Sequence, residues 1–457
     1  MKYFLILIGL FISCSTPQQS TLPSDDDITL IQEVNIINVR SGEVSKNKFV
    51  LIKEGKISDI LDEKPALAEN TTVIEGKGQF LMPGLAEMHA HIPSPDWGRE
   101  NIEETLFLYL SNGVTTIRGM LGHPLHLELR EQTANNEVLS PRIFTSSPSL
   151  NGNTVRNVEE AETKVRTYNE AGYDFLKLHP GIQLEVFDAI VKTANEVGIT
   201  FAGHVSTDVG IRHALESGYA SIDHVDGFIE GLVPKEKGLD PNTNGFFGYN
   251  FTYDADPKLI DELVAMTNTY KVWVVPTQSL FDRWFSPDEA STLATAPEMK
   301  YMPKTTLENW IKSKENLISD PEYSTEKWNA FNTLRLKIIY NLQKKGHGLL
   351  LGSDAPQVFN VPGFSIHHEL AGMLAAGLSP LEAIQIGTIN PATFLNKTGE
   401  FGEIIKGASA DCILVANNPL EDLQALRAIN GVMVRGKWLS KKFIDNKLEE
   451  ISKNATQ

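Results

Sequence analysis

The first candidates for chemistry are two histidines separated by one residue, His89 and His91, at the end of an apolar run. Side chains alternate between the two faces of a β-strand, so a strand that ends in this pair places both imidazoles within reach of one metal ion. The pair alone fits a solvated turn equally well. The metal interpretation gains weight because three further candidate ligands each close a short apolar strand of their own: His204, His224 and Asp354.

Lys177 is a candidate of a different kind, because it lies inside an apolar strand. In the run from Asp174 to His179, alternation places Phe175, Lys177 and His179 on one face. A lysine that faces the interior of a barrel must be paired or chemically changed, since an isolated buried charge is costly.

Short apolar strands alternate with helical segments through the centre of the chain, which is typical of βα units and a parallel sheet. The helical segments have clear ends: Gln183 to Val197 stops before Gly198, and Pro380 to Gly387 precedes Asn390-Pro391. The candidate ligands then fall at the carboxyl ends of strands, where barrel active sites are built. The candidate strands are as many as a closed (β/α)8 TIM barrel requires: Phe80 to Met88, Gly113 to Arg118, Arg142 to Ser146, Phe175 to Leu178, Thr200 to His204, Ala220 to His224, Val272 to Pro276 and Gly348 to Gly352.

Both ends of the chain contain β-rich runs that we expect to pair beside the barrel. Near the N-terminus they are Ile31 to Val39, Phe49 to Lys53 and Lys56 to Leu61, with Glu54-Gly55 as a hairpin turn between the last two. Cys412 to Val415 and Val432 to Trp438 continue the pattern. We therefore predict an α/β chain whose small β-sandwich comprises residues 29–80 and 398–446, with the barrel at 81–397 and a tail at 447–457.

Composition limits the class of protein. A chain of 457 residues accommodates a barrel of roughly 250 residues and a second domain. Its formal net charge of −17 argues against nucleic acid as a partner, because such proteins need clustered Lys and Arg. After the first residues, no apolar run approaches the roughly 20 residues that span a bilayer.

The first residues resemble a bacterial export signal. Lys2 precedes an apolar stretch from Tyr3 to Ile12, and Phe11-Ile12-Ser13-Cys14 resembles a lipobox. We expect residues 1–13 to be a signal peptide, Cys14 to be lipidated and residues 14–28 to be a flexible tether. The protein would then be held at the bacterial cell envelope, in contact with the membrane only through its lipid anchor. Phe11 departs from the usual Leu, which leaves an ordinary secreted form as the alternative.

Several motifs follow one another in the order of a known family. They resemble the amidohydrolase superfamily, and more narrowly its metal-dependent branch of Xaa-Pro dipeptidases, ochratoxinase-like amidases and imidazolonepropionases. The resemblance extends from the first β-run to Trp438 and implies the barrel and β-sandwich described above. The motifs are Pro83-Gly84-Leu85-x-x-x-His89-x-His91, Gly113-Val114-Thr115-Thr116, Gly203-His204, Ile222-Asp223-His224, Gly352-Ser353-Asp354, and Ser379-Pro380-Leu381-Glu382-Ala383-Ile384 with Asn390-Pro391-Ala392.

The resemblance implies a ligand set. His89, His91 and Asp354 would hold one metal ion, and His204 and His224 a second. Neutral imidazole and carboxylate suit Zn²⁺ and similar ions. Lys177 would bridge two Zn²⁺ ions after reaction of its amine with CO₂ to give a carbamate. The alternative is an unmodified Lys177 in an ion pair, with a single metal held by the histidines and Asp354.

This constellation implies hydrolysis of an amide. Bound metal lowers the pKa of a water to about 7 and polarises a carbonyl, and Asp354 would carry a proton from that water to the departing nitrogen. We expect a metal-dependent amidohydrolase that cleaves a small-molecule amide, a dipeptide or an N-acyl amino acid. The alternatives are a mononuclear cyclic-amide hydrolase resembling imidazolonepropionase and a lipoprotein that binds a ligand without turnover.

Residues for substrate binding are less well defined by sequence. His179 and Arg283 are candidates, the latter as a reader of carboxylate. The segment from Gly227 to Lys271 is long for a βα connection and rich in aromatic residues. It either forms an apolar wall over the site or simply packs onto the barrel. No stretch specifies an oligomeric state.

Overall fold

The computed structural model describes residues 28–455, in which short strands alternate with helices as the sequence predicts. In chain order the strands are β1 (Thr29–Ile37), β2 (Val44–Lys53), β3 (Lys56–Leu61), β4 (Thr72–Glu75), β5 (Phe80–Pro83), β6 (Leu85–Ala90), β7 (Val114–Gly119), β8 (Arg142–Thr145), β9 (Phe175–Leu178), β10 (Thr200–Gly203), β11 (Ser221–Asp223), β12 (Trp273–Val275), β13 (Cys412–Val415), β14 (Ile429–Val434) and β15 (Lys437–Ser440).

The helices lie mainly between the central strands. They are α1 (Arg99–Ser111), α2 (Pro124–Ala134), α3 (Val158–Glu170), α4 (Leu184–Val197), α5 (Gly210–Glu216), α6 (Phe228–Gly231), α7 (Ile260–Tyr270), α8 (Gln278–Trp284), α9 (Ala290–Leu293), α10 (Lys304–Ile318), α11 (Thr325–Lys345), α12 (Ser365–Ala375), α13 (Pro380–Ile386), α14 (Ile389–Phe394) and α15 (Lys441–Asn454). Residues 447–454, assigned to a tail from the sequence, form the end of α15.

The central strands are parallel and follow one another around a circle. β6, β7 and β8 form one sheet, and β9 to β12 form another. A parallel bridge between Ser146 and Phe175 links the two sheets on one side, and on the other side a bridge between Val274 and Leu349 joins β12 to residues 348–352. The regular ladders therefore make two arcs joined by isolated bridges, not one continuous closed ladder. Parallel strands with intervening helices confirm the predicted α/β class and agree with a TIM barrel.

The expected eighth strand, Gly348 to Gly352, is not a regular strand. Its one bridge pairs Leu349 with Val274 of β12. The segment still occupies the eighth place, because Leu350 N donates to Val274 O at 2.9 Å and Met88 N of β6 donates to Leu351 O at 2.7 Å. Gly348 begins it with a φ of +151°, which favours glycine and departs from strand geometry.

The expected first strand, Phe80 to Met88, is divided in two at Gly84. β5 belongs to the sheet formed by the chain ends, whereas β6 begins the barrel. Glycine fits the junction because a Cβ there would lie 2.2 Å from Thr115 Oγ1. The change of sheet happens without a loop, so the sequence shows one continuous apolar run.

The two ends of the chain share one sheet, in the order β15-β14-β13-β5-β1-β2-β3, with β4 paired to β1. β13 is antiparallel to β5 and thereby joins the C-terminal strands to the N-terminal ones. Apolar side chains from both ends form a separate buried cluster, which includes Ile31, Val50, Leu81 and Leu414. The predicted Glu54-Gly55 hairpin is confirmed, with positive φ at both residues as a type I′ turn requires.

Some sequence predictions concern residues that the structure does not describe. The signal peptide, Cys14 and its lipidation, and the tether before residue 28 lie outside the described range. Within residues 28–455, no helix is long and apolar enough to cross a membrane.

Candidate metal centre

The first ligand group consists of His89, His91 and Asp354, the ligands predicted for one metal ion. β6 carries His89 and ends at Ala90, so His91 follows the strand directly. Asp354 Oδ1 lies 2.7 Å from His91 Nε2 and 3.3 Å from His89 Nε2. Asp354 N donates to His89 O at 3.0 Å, which holds the two segments together. The structure thus brings these predicted ligands into one group.

The charge of this first ligand group favours a cation. Burial alone would raise the pKa of Asp354, but His89 and His91 outweigh burial and hold the pKa well below its usual value. The carboxylate is therefore ionised although it is only 5% exposed. One buried carboxylate and two imidazole nitrogens form a donor set that suits Zn²⁺ and similar divalent ions.

The second ligand group consists of Lys177, His204 and His224, from β9 and the ends of β10 and β11. The ring centroids of His204 and His224 are 4.6 Å apart, and His224 lies equally close to His89 of the first group. Lys177 is fully buried, and its Nζ donates to Asp223 Oδ2 at 2.8 Å. The predicted metal ligands therefore all lie at one end of the barrel, in two adjoining groups.

Both imidazoles of the second ligand group are in the form that binds metal. Burial, followed by the nearby charge of Lys177, lowers the pKa of His204 to about 3. Burial and the neighbouring imidazoles lower the pKa of His224 well below its usual value. Each ring is therefore neutral at pH 7 and has a nitrogen lone pair to offer.

Each of these two imidazoles has its own outer partner. His204 Nδ1 lies 3.1 Å from Asp226 Oδ2, and His224 Nδ1 lies 2.8 Å from Thr277 Oγ1. Such contacts at Nδ1 orient the ring and leave Nε2 for a metal. Asp226 and Thr277 were not identified from the sequence. Asp226 follows His224 by two residues. A carboxylate placed just after a histidine at the end of a strand could therefore have identified Asp226 in the sequence.

Two predicted ligands occupy unusual backbone conformations. His224 has a φ of +63° and Asp354 a φ of +62°, in the left-handed region that non-glycine residues seldom adopt. Such conformations persist where the surrounding structure imposes them, and they concentrate at functional sites. At both positions the chain leaves a strand position and turns its side chain into the ligand cluster.

Asp223 is the most central residue that sequence reasoning missed. It is fully buried, and its Oδ2 lies between Lys177 Nζ and His89 Nδ1, at 2.8 and 3.4 Å. Its Oδ1 lies 3.4 Å from Nη2 of the buried Arg118, which also donates to Met88 O. Asp223 is the last residue of the short strand β11 and immediately precedes His224, and this position was the signal in the sequence.

Glu87 connects the two segments that carry the first ligand group. The fully buried carboxylate accepts from Ser353 N and Ser353 Oγ at 2.7 Å and from His89 N at 3.2 Å. Burial raises the pKa of Glu87 to about 7. Glu87 thereby joins β6 to the turn before Asp354. The two segments are far apart in the sequence, so no local sequence pattern predicts this contact.

The structure separates the two candidate substrate residues. His179 follows β9 directly, and its ring lies nearly parallel to His204 with centroids 5.1 Å apart. Arg283 pairs instead with Glu298 at 3.1 Å and donates from Nε to Phe359 O. None of the hydrogen bonds of Arg283 within residues 28–455 reaches the ligand groups, whereas His179 lies beside them.

The long connection after β11 brings an aromatic side chain to the metal centre. The Phe247 ring lies 5.3 Å from His224 and 5.9 Å from His204, measured between centroids. Its φ of +53° is unusual for a bulky residue. Phe246 is 44% exposed and packs on Trp284. The connection therefore both packs on the barrel and presents an apolar wall to the imidazoles.

Comparison with known proteins gives a family match. The model of the amidohydrolase family matches residues 80–439, which include every predicted metal ligand. An adenine deaminase from Clostridium botulinum is 22% identical over 442 residues, or 93% of this chain. The chain spans only 59% of the length of that relative.

Solved structures agree in fold. A bottromycin amidohydrolase superposes with a TM-score of 0.70 at 21% identity, covering 93% of this chain and 90% of that one. A Xaa-Pro dipeptidase with methionine in its active site gives a TM-score of 0.63 at 20% identity, covering 90% of this chain and 100% of that one. At this level of identity, the structures support the barrel with its attached sheet.

Proposed function

The chain belongs to the amidohydrolase family, and we propose on that premise that it is a metal-dependent hydrolase that cleaves the C–N bond of an amide. The proposed substrates are dipeptides or N-acyl amino acids. The observation that carries the proposal is the convergence of His89, His91 and Asp354, with Asp354 ionised between the two imidazoles. An ionised carboxylate at that place both binds a cation and accepts a proton.

We propose that His89, His91 and Asp354 hold one divalent ion and that Lys177, His204 and His224 hold a second. As an ammonium, Lys177 offers no lone pair and repels a cation. The Lys177 amine can instead attack CO₂: its nitrogen forms a bond to the carbon, a proton leaves to solvent, and a carbamate anion results. The second group would then contain a carboxylate, as the first one does.

Asp223 and Arg118 support this change of charge. Asp223 Oδ2 accepts from the Lys177 ammonium, and its Oδ1 lies 3.4 Å from Arg118 Nη2. When Lys177 loses its positive charge, Arg118 stays to balance Asp223. The freed Oδ2 is already 3.4 Å from His89 Nδ1 and can accept its hydrogen.

The mononuclear alternative also has an observation in its favour. It requires an unmodified Lys177 in an ion pair, and the 2.8 Å contact between Lys177 and Asp223 is such a pair. In that case a single metal ion is held by the histidines and Asp354. The two alternatives differ in the number of metal ions per chain, which elemental analysis measures directly.

Residues of the chain account for the proton transfers of hydrolysis. A bound metal would lower the pKa of a water to about 7 and would polarise the substrate carbonyl. Asp354 accepts the proton that this water loses as its oxygen bonds to the amide carbon. Asp354 then donates the proton to the amide nitrogen as the C–N bond breaks, and the products are a carboxylic acid and an amine.

The aromatic wall indicates the kind of amide. The ring of Phe247 faces His204 and His224, so a substrate that reaches these imidazoles also contacts an apolar surface. Phe246, Trp284 and Phe281 extend that surface around Phe247. We therefore propose that an apolar side chain or acyl group lies next to the scissile bond.

The test is a substrate panel with the full chain, supplied with Zn²⁺ and bicarbonate. The panel contains apolar and polar dipeptides, N-acyl amino acids, a cyclic amide and adenine, and an Asp354→Asn variant is the control. Turnover of apolar dipeptides or N-acyl amino acids, lost in the variant, supports the proposal. Cleavage of the cyclic amide or adenine alone overturns the substrate class, and silence across the panel overturns hydrolysis of these amides.

A further inference from the structure

A side-chain relay outside the metal ligands ends beside them. It consists of Asn151, Ser149 and His179, and within residues 28–455 it forms no side-chain hydrogen bond with Asp226, Thr277, Asp223 or Glu87. His179 is partly exposed, and its ring lies nearly parallel to the ring of His204 at 5.1 Å. The His179 imidazole therefore lies where it could form a hydrogen bond to a substrate that reaches the second ligand group.

The orientation of Asn151 is fixed by its own turn. Its Oδ1 accepts from Asn153 N at 2.9 Å and from Thr154 N at 3.1 Å. Because two backbone N–H groups need an acceptor, this atom is the oxygen and the other is the nitrogen. Asn151 Nδ2 therefore donates to Ser149 Oγ at 2.8 Å.

The direction of the next hydrogen bond follows. Ser149 Oγ already accepts from Asn151 and lies 2.8 Å from His179 Nδ1. Ser149 has one hydroxyl hydrogen, and within the described chain His179 Nδ1 is its one acceptor. If Nδ1 carried the hydrogen, the hydroxyl would point at no acceptor. Ser149 accordingly donates to His179 Nδ1.

This assignment determines the tautomer of His179. A neutral imidazole that accepts at Nδ1 carries its hydrogen on Nε2. His179 Nε2 forms no hydrogen bond within residues 28–455, so a donor with a fixed direction remains available for a ligand. The relay supplies no negative charge that would make His179 a strong base.

We propose that His179 Nε2–H donates a hydrogen bond to the substrate oxygen that becomes anionic during amide hydrolysis. The inference rests on the proposed function. When water adds to the amide carbon, the C=O electron pair moves to the oxygen, and His179 stabilises this oxyanion. The pair returns as the C–N bond breaks and Asp354 gives its proton to the nitrogen. His179 itself exchanges no proton.

The kinetic test uses the panel substrate that the metal-loaded wild-type protein cleaves fastest. His179→Ala should lower kcat by about 10²- to 10³-fold, the usual cost of an oxyanion donor. Metal content should stay unchanged, and His213→Asn, at a half-exposed histidine paired with Asp188, should retain wild-type kcat. Unchanged kcat, or a loss confined to KM, overturns the assignment.

Ser149 is a positioning residue, and its role has separate readouts. Ser149→Ala should lower kcat by about 10-fold, and Ser149→Thr, which keeps the hydroxyl, should restore most of it. In protein labelled with ¹⁵N-histidine and loaded with Zn²⁺, the His179 resonances should show hydrogen on Nε2. Hydrogen on Nδ1 overturns the relay even if the enzyme is active, whereas absence of turnover in the wild type affects only the proposed function.

Discussion

In the first ligand group, the carboxylate of Asp354 lies 2.7 and 3.3 Å from its two imidazoles, whereas the second group combines two neutral imidazoles with the ammonium of Lys177. The first ligand group therefore already carries a negative charge. The second ligand group contains no carboxylate of its own. The Lys177 ammonium would first have to become a carbamate anion before this group carried a negative charge. The comparison teaches that proximity of candidate ligands is not sufficient, because the sign of their charge also affects how favourably a cation binds.

Asp354→Asn tests the first group most severely. The amide keeps an oxygen ligand but cannot take or give the catalytic proton, so we expect kcat to fall by about 10²- to 10⁴-fold while most of the metal stays bound. Turnover and elemental analysis measure the two effects. Asp188→Asn, at a carboxylate half exposed on the surface, is the matched control. Near-normal turnover of Asp354→Asn would show that another group carries the proton.

Lys177→Ala should affect the second ligand group more than the first. With bicarbonate present, we expect metal content to drop from about two ions per chain to about one, and most activity to be lost with the second ion. Lys192→Ala, at an exposed lysine paired loosely with Glu196, controls for general effects of removing an amine. A wild-type content of about one ion, unchanged in Lys177→Ala, would establish the mononuclear alternative.

The proximity of the candidate ligands could be predicted from the sequence because two simple rules locate these residues. Strand alternation pairs His89 with His91, and the parallel arrangement brings His204, His224 and Asp354 to the same end of the barrel. Neither rule depends on the exact ends of strands, so the expected convergence of these side chains is found although residues 348–352 form no regular strand.

The residues that support the ligands could not be predicted in this way. Glu87 bonds to Ser353 at a sequence separation of 266 residues, and Lys177 to Asp223 at a separation of 46. Such pairs depend on which side chains meet after folding. Arg283 illustrates the same limit, since its suggested role in reading a carboxylate did not anticipate the ion pair with Glu298 in the helical segment that follows.

Asp226→Asn should weaken metal binding by the second ligand group without abolishing it. Asp226 contacts His204 Nδ1, and loss of an outer carboxylate usually weakens metal affinity by about 10- to 100-fold. We expect chelator competition to show weaker binding of one ion and unchanged binding of the other. Asp208→Asn, at an exposed residue in the connection that follows β10, is the control. Equal weakening of both ions would mean that the two groups are not energetically separate.

Phe247→Ala should have the smallest effect and should concern the substrate only. The ring borders the second ligand group but donates nothing to metal, so we expect KM for apolar substrates to rise by about 5- to 10-fold, roughly 1 kcal/mol, with little change in kcat. Phe443→Ala is the control, because Phe443 lies on α15, is 38% exposed and packs on Phe107. The decisive quantity is the ratio of KM values for apolar and polar substrates. If Phe247→Ala raises both KM values equally, the ring only packs the connection onto the barrel, and apolar selectivity must arise elsewhere.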